Sequence, residues 1–236
     1  VLIRQLDRAD THLGGAMLFA NDGYLYVTLA DEGGQGDPYH NSQRIDGNFF
    51  GAVMRLDVDG RPGNLPPNPH PSIVGQYWVP SDNPYIGLTT FNGSPVDPLK
   101  VRTEFFMVGL RNPNTMHIDR PTGRIFVGDV GGAWWESVQE IVRGANAGWA
   151  ATEGQWLTTF PTGSATVQRP PAGYRAPLWT YPHPTAVPDW DKEFAGNCVF
   201  VGPVLRGSRY PELDGCLVVS DVSGPVWSLN ITTKVV

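Results

Sequence analysis

Charge and long apolar runs are both scarce in this chain. Of its 236 residues only 17% are charged, and 23 acids against 17 bases give a net charge of −6. So acidic a balance lacks the positive field that nucleic acid or an anionic membrane surface demands, and neither is expected as the main partner. No apolar stretch approaches the roughly 20 residues that cross a bilayer. No convincing amphipathic helix appears either. The histidines His40, His70, His117 and His183 share no metal-ligand spacing. There are two cysteines, Cys198 and Cys216, on either side of an expected hairpin. A disulfide and a pair of free core thiols both stay open. The chain begins Val1-Leu2-Ile3-Arg4, without initiator Met or leader, and is read as a mature or cut piece of something longer.

What is abundant points to β-structure. Apolar residues make up 41% of the chain, and 28 Gly and 22 Pro are spread through it without a strict period. That many turn formers favour short strands over helical bundles. Short aromatic and β-branched runs bounded by Gly or Asp-Gly read as strands: 17–19, 24–27, 52–58, 104–108, 124–127, 198–201, 216–219 and 226–229. Three of them share a loose pattern in which a Gly turn opens an apolar strand that runs to an acid. These strands end at Asp31, Asp129 and Asp221. Such widely spaced repeats imply recurring four-stranded units, a β-propeller with long insertions at 61–100 and 150–195. The insertions would lie over the face that binds ligand.

The densest motif is Gly109-Leu110-Arg111-Asn112-Pro113, followed by Gly128-Asp129-Val130-Gly131-Gly132 and Gly144-Ala145-Asn146-Ala147-Gly148-Trp149. A cation, an amide and bare backbone gathered around one strand suit an anionic, planar ligand or a metal. Read the bland way, Arg111 caps strand carbonyls and Asn112 sets the Pro113 turn. The acids of 31–37, in a glycine loop without EF-hand spacing, read as solvated. The eight Trp read as blade core, with a carbohydrate-stacking shelf as the other reading.

Those motifs come in an order that begins with His12-Leu13-Gly14-Gly15 and continues through 18–27, 51–57 and Asp82-Asn83-Pro84. In that order the chain resembles the glucose/sorbosone dehydrogenase family over nearly its whole length. The resemblance extends to the Hedgehog-interacting-protein-like branch, through Tyr181-Pro182-His183 and Leu205-Arg206-Gly207. It implies an all-β, six-bladed β-propeller, of which residues 1–236 supply about the middle blades. It further implies a secreted or periplasmic sugar dehydrogenase that uses pyrroloquinoline quinone (PQQ) and calcium and passes electrons to an external acceptor.

Carried over by that resemblance, His12 matches the general base, Arg111 and Asn112 the cofactor ligands, and Gly131, Gly132 and Glu136 the metal site. Imidazole suits the base role because its ordinary pKa is about 6.5. A loop histidine bonded to backbone is the competing reading. The chain departs from the pattern at three points. Thr11 stands where an Asp precedes the His, leaving no evident carboxylate to orient the ring. Ser137 replaces an acid, and Val222 replaces a Lys that faces the quinone. The alternative function is a non-catalytic extracellular propeller that binds a protein or carbohydrate. A lactonase would need several carboxylates converging on one metal, and no such set is visible.

Overall fold

The computed structural model describes residues 1–158, 169–186 and 193–236, and the expected strands pair in it into three large antiparallel sheets. The first holds β1 (Met17–Phe19), β2 (Leu25–Leu29) and β3 (Ala52–Leu56). After an excursion with a small hairpin, β4 (Thr90–Phe91) and β5 (Ser94–Pro95), it is completed by β6 (Phe105–Val108). The second holds β7 (Pro113–Asp119), β8 (Arg124–Asp129) and β9 (Trp135–Glu140). A short hairpin, β10 (Thr152–Glu153) with β11 (Trp156–Leu157), precedes its last strand, β12 (Trp179–Pro182). The third holds β13 (Val199–Val204), β14 (Cys216–Asp221) and β15 (Val226–Asn230). Among the described residues no α-helix occurs and there is a single 3-10 turn, at Pro211–Leu213.

Successive sheets stand face to face: β1 and β2 pack on β7, and β13 packs on β7 and β8. That is the stacking of propeller blades. Each interface is a seam of buried side chains. Tyr26, Val53, Met107, Leu110, Ile118 and Val127 fill the first. Phe126, Val138, Tyr181, Val201, Val219 and Leu229 fill the second. Each such residue contributes about 1.5–3 kcal/mol. β2 shows why alternation was readable, since Tyr26 and Thr28 are buried between half-exposed neighbours. Buried Thr28 donates its hydroxyl to the Pro113 carbonyl at 2.7 Å, tying the first blade to the second. β3 is buried at every position. Its Arg55 is tolerated there because it donates to Asp22 at 2.9 Å and to Asp82 at 2.6 Å and lies against the Tyr24 ring.

One expectation is corrected and one open question is decided. The segment 61–100 is no loose insertion over a ligand face. Tyr77, Val79 and Tyr85 are buried with Phe49, Leu56 and Phe105 in the core of the first blade. Backbone bridges Asp57–Trp78 and Leu65–Val79 hold it there. Its apolar residues follow no period, so the sequence hid them. The cysteines, second, are both free thiols. The Val222 amide donates to the Cys198 carbonyl at one end of the β13–β14 pair, and the Leu205 amide to that of Cys216 at the other. They lie about 20 Å apart along the strands, beyond disulfide reach.

Arg206, which follows β13, forms a bidentate pair with buried Asp119 at the end of β7, at 3.0 and 2.6 Å. The pair clasps the second and third blades, and the guanidinium holds the Asp119 carboxyl below its ordinary 3.8. A carboxylate with a depressed pKa stabilises the fold above that ordinary value and loses its contribution as pH falls through the folded value. Arg206→Ala is therefore expected to unfold at lower urea than wild type at pH 7, with the gap closing between pH 4 and pH 2. A gap constant with pH would assign the loss to packing of the Arg206 stem.

Candidate active site

Asp31, Asp129 and Asp221, the acids of the loose repeat, prove to be one structural device used three times. Each lies buried at the end of the second strand of its blade, or two residues beyond it. Asp129 accepts the backbone N–H of Arg111 at 3.1 Å and of Asn112 at 2.8 Å, the two residues leading into β7. Asp221 accepts those of Asn197 at 2.9 Å and Cys198 at 2.8 Å, leading into β13. Burial pushes the Asp129 carboxyl up to about 7 against the pull of its two amides. Continuing the β1–β2 register past the strand ends sets Asp31 opposite Leu13. His12 thus falls where Asn112 and Cys198 fall in the other blades.

In the first blade a side chain takes the place of the backbone amide. The chain turns left-handed at His12 (φ 56) and at Gly14 and Gly15 (φ 66 and 96). His12 Nδ1–H donates to Asp31 Oδ1 at 2.8 Å. Asp31 Oδ2 accepts the Trp149 indole N–H at 2.8 Å, and Oδ1 also accepts the Gly33 amide at 3.0 Å. With Nδ1 protonated toward a carboxylate, Nε2 carries the lone pair. It has no hydrogen-bond partner among the described residues.

This overturns two readings. The carboxylate missing at Thr11 is supplied by Asp31, nineteen residues after His12. The acids of the glycine loop are not solvated, since Asp31, Glu32 and Asp37 are all at most 3% exposed. Glu32 pairs with Arg8 and accepts from Asn41, while Asp37 accepts the amides of Asn41 and Ser42. Four of the six left-handed non-glycine residues among those described are His12, Glu32, Asp37 and His40. Such backbone conformations each cost about 1–3 kcal/mol and cluster at functional sites.

Arg111 meets His12 through the same aspartate, because the Asp31 amide donates to the Arg111 carbonyl at 2.8 Å. Its guanidinium is buried against the Trp149 ring and donates to the Val130 carbonyl at 3.1 Å. The capping reading of the corner holds, since Arg111 donates to a carbonyl, and its Nε is buried without a partner. Burial lowers the pKa of the guanidinium, and Asp31, Asp129, Glu153 and Glu136 oppose that shift. The cavity between Arg111 and Glu153 measures about 10 Å³, room for one water. A planar ligand would thus lie against the other side of Arg111. Asn112 is half-buried, and its side chain has no partner among the described residues.

Gly131 and Gly132 belong to a loop wound around one oxygen. Glu153 Oε1 accepts four successive amides, from Gly132, Ala133, Trp134 and Trp135, at 2.8 to 2.9 Å. A Cβ at Gly131 would come within 1.7 Å of the Trp135 carbonyl, so only glycine fits. The carbonyls of Gly131 and Gly132 accept no hydrogen bond among the described residues. Glu136 differs from its expected place as a metal acid. It is fully buried, taking His183 Nε2–H at 2.7 Å and the amides of Val199 and Gly131 at 3.0 and 3.3 Å. No group of three metal-binding side chains exists among the described residues. The donors therefore fit an anionic quinone through Arg111 and Asn112. For calcium, which takes six to eight oxygens, they offer two carbonyls. Val222 sits exposed in the turn after Asp221.

Asp31, Trp149 and Glu153 were not picked out as functional from sequence. Asp31 and Trp149 did lie inside motifs, one closing the strand repeat and the other closing the third glycine turn.

This chain belongs to the Glucose / Sorbosone dehydrogenase family, whose sequence profile matches residues 1–222. It is 31% identical over 226 residues to the HIPL1 protein of Arabidopsis thaliana, covering 92% of this chain and 30% of that protein. It is 35% identical over 111 residues to the Hedgehog-interacting protein of Homo sapiens (46% and 13%). Quinoprotein glucose dehydrogenase B of Acinetobacter calcoaceticus is 24% identical over 167 residues (65% and 29%). Among solved structures, a glucose dehydrogenase superposes with a TM-score of 0.66 at 20% identity, covering all of this chain and 55% of that one. The chain thus spans under a third of these relatives and about half of the solved propeller. Three blades in half a structure agree with a six-bladed ring. No described helix is long and apolar enough to cross a membrane.

Glu153→Ala should strip four amides of their acceptor, each costing about 1–3 kcal/mol if it stays buried. Hydrogen exchange at Gly132, Ala133, Trp134 and Trp135 is expected to speed up at least tenfold, with Glu153→Gln much closer to wild type. Unaltered protection in Glu153→Ala would mean the loop is held by other contacts.

Proposed function

We propose that the full-length protein is an exported sugar dehydrogenase in which His12 is the general base, oriented by Asp31. The observation that carries this is the His12–Asp31–Trp149 chain of hydrogen bonds, which leaves a basic nitrogen unpartnered on a ring whose aspartate is bonded through its amide to the Arg111 carbonyl. Imidazole that only shaped a loop would not require a fully buried carboxylate behind it. The family membership and the quinoprotein relative support a sugar as substrate.

Bound against Arg111 and Asn112, PQQ would supply a two-electron acceptor for the hydride that leaves the anomeric carbon. The guanidinium would hold the quinone's carboxylates with charge-assisted hydrogen bonds. His12 Nε2 takes the proton of the sugar's anomeric hydroxyl as the C–H bond breaks, and Asp31 stabilises the imidazolium that forms. Trp149 N–H fixes the far oxygen of Asp31, so the carboxylate cannot rotate away from the ring. The Gly131 and Gly132 carbonyls would contribute to a calcium ion whose remaining ligands are water or the bound molecule. The electrons would pass on to an external acceptor.

A second reading, a ligand-binding propeller without turnover, is favoured by Val222 in place of a cofactor-facing Lys, by Ser137, and by the likeness to the Hedgehog-interacting protein.

One experiment separates them. The full-length protein is incubated with PQQ and Ca²⁺, and reduction of a redox dye by glucose and other aldoses is followed. Saturable activity is expected, absent in His12→Ala and without PQQ. Asp31→Asn presents an amide N–H₂ to either His12 or Trp149. Where it meets His12 it forces the Nε2–H tautomer, so kcat is expected to fall about 10²–10⁴-fold. Neither quinone binding nor dye reduction would overturn the enzyme reading in favour of the second.

A further inference from the structure

Gly109 opens the Arg111 corner in left-handed backbone (φ 80), Asn146 lies in the third glycine turn, and the proposed reaction uses neither. They meet at a pair of carboxamides. Gln43 Nε2–H donates to Asn146 Oδ1 at 2.9 Å, and Asn146 Nδ2–H donates back to Gln43 Oε1 at 2.8 Å. A Cβ at Gly109 would come within 2.1 Å of Asn146 Oδ1 and 2.9 Å of Gln43 Nε2, so the closed pair requires glycine beside it. Asn146 is buried and Gln43 half-buried.

Each amide has a further partner whose role is fixed, which settles its orientation. The Gly148 N–H can only donate, and it reaches Asn146 Oδ1 at 2.9 Å. The Trp149 carbonyl can only accept, and it takes a Gln43 Nε2–H at 2.7 Å. Asn92 Nδ2–H, at the tip of the β4–β5 hairpin, donates to Gln43 Oε1 at 2.9 Å. Gln43 thereby uses both donors and both lone pairs of its carboxamide. Its own segment is anchored, since the Ser42 amide donates to Asp37 at 2.9 Å and the Ser42 hydroxyl to the Leu110 carbonyl at 3.1 Å.

The consequence falls on Trp149. Its amide donates to the Gly109 carbonyl at 2.9 Å and its carbonyl is held by Gln43, so its backbone is tied at both ends. That fixes the direction in which the indole leaves the chain, and the indole N–H is the donor at Asp31 Oδ2. Asn146 alone would close the turn through Gly148; what Gln43 adds is the hold on Trp149.

We propose that Gln43 and Asn146 are a positioning pair for His12: clasped against Gly109, they hold Trp149 so that its indole keeps the Asp31 carboxylate turned toward the imidazole. They act through Trp149 and Asp31, not on the reacting atoms. The effect on turnover rests on the dehydrogenase reading; the effect on the His12 ring does not.

The test compares full-length wild type with Gln43→Met, which keeps the length of the side chain and removes its four hydrogen bonds. In protein carrying ¹⁵N-histidine and ¹⁵N-tryptophan, without PQQ, exchange of the Trp149 indole N–H is expected to speed up about tenfold or more. The His12 ring is expected to average between its two tautomers, where wild type holds the single Nδ1–H form. Exchange at the amides of Leu217 and Val219 in β14 should stay as in wild type, which separates loss of position from loss of the fold. Gln43→Glu keeps an acceptor for Asn92 and Asn146 but offers no N–H to Trp149, and should show the same two changes. With PQQ, Ca²⁺ and an aldose, kcat should fall about 10–10²-fold in both variants while KM stays within about twofold. A slow indole and a single Nδ1–H ring in both variants would overturn the positioning pair, whatever turnover does. An averaging ring with undiminished kcat would overturn its link to catalysis. Absence of dye reduction by wild type would sink the dehydrogenase reading alone, and the ring and the indole would still decide the pair.

Discussion

Everything functional here hangs on one buried carboxylate. Asp31 is wholly removed from solvent, and an ion in such a place must be met by donors on every side. It is met by an imidazole, an indole and a peptide amide. Those three donors come from the segment ahead of the first strand, from the loop after β9 within the second blade, and from the residues just after the acid. The requirement to satisfy one anion therefore draws distant parts of the chain together and fixes the tautomer of His12. Arg111 joins the same centre through its carbonyl.

The comparison between blades explains how such a centre arises on a repetitive scaffold. In the second and third blades the equivalent aspartate is a turn-capping residue that accepts the two backbone amides leading into the neighbouring strand, joined at Asp221 by the Tyr181 and Ser223 hydroxyls. In the first blade the left-handed turn at His12 and the two glycines carries the backbone away from the acid. The acid is then available to side chains. A structural cap and an imidazole-orienting carboxylate differ only in which donors the local backbone brings. Fold likeness alone would not separate them.

Much of this was legible in the sequence, and the rest was not for definite reasons. Strands with an alternating or continuous apolar pattern, such as β2, β3 and β14, were readable. β7, β9 and β12 were not, because their buried faces include polar residues: β9 buries Glu136, Ser137 and Gln139 between blades. The glycine loops and the Arg111 corner were visible as motifs, since bare backbone and a cation have few other uses together. The partner of His12 was invisible because adjacency in sequence was the signal sought, whereas Asp31 reaches it across a turn and Trp149 closes the far side from 118 residues away. Glu153 was hidden in the same way, as its four amides lie about twenty residues earlier.

The most direct test of the central claim is the protonation pattern of the His12 ring. It is read from imidazole nitrogen shifts in full-length protein carrying ¹⁵N-histidine at neutral pH. The account predicts a single neutral tautomer with the proton on Nδ1 and a bare Nε2. A ring protonated on Nε2, or one that averages freely between the two tautomers, would contradict it.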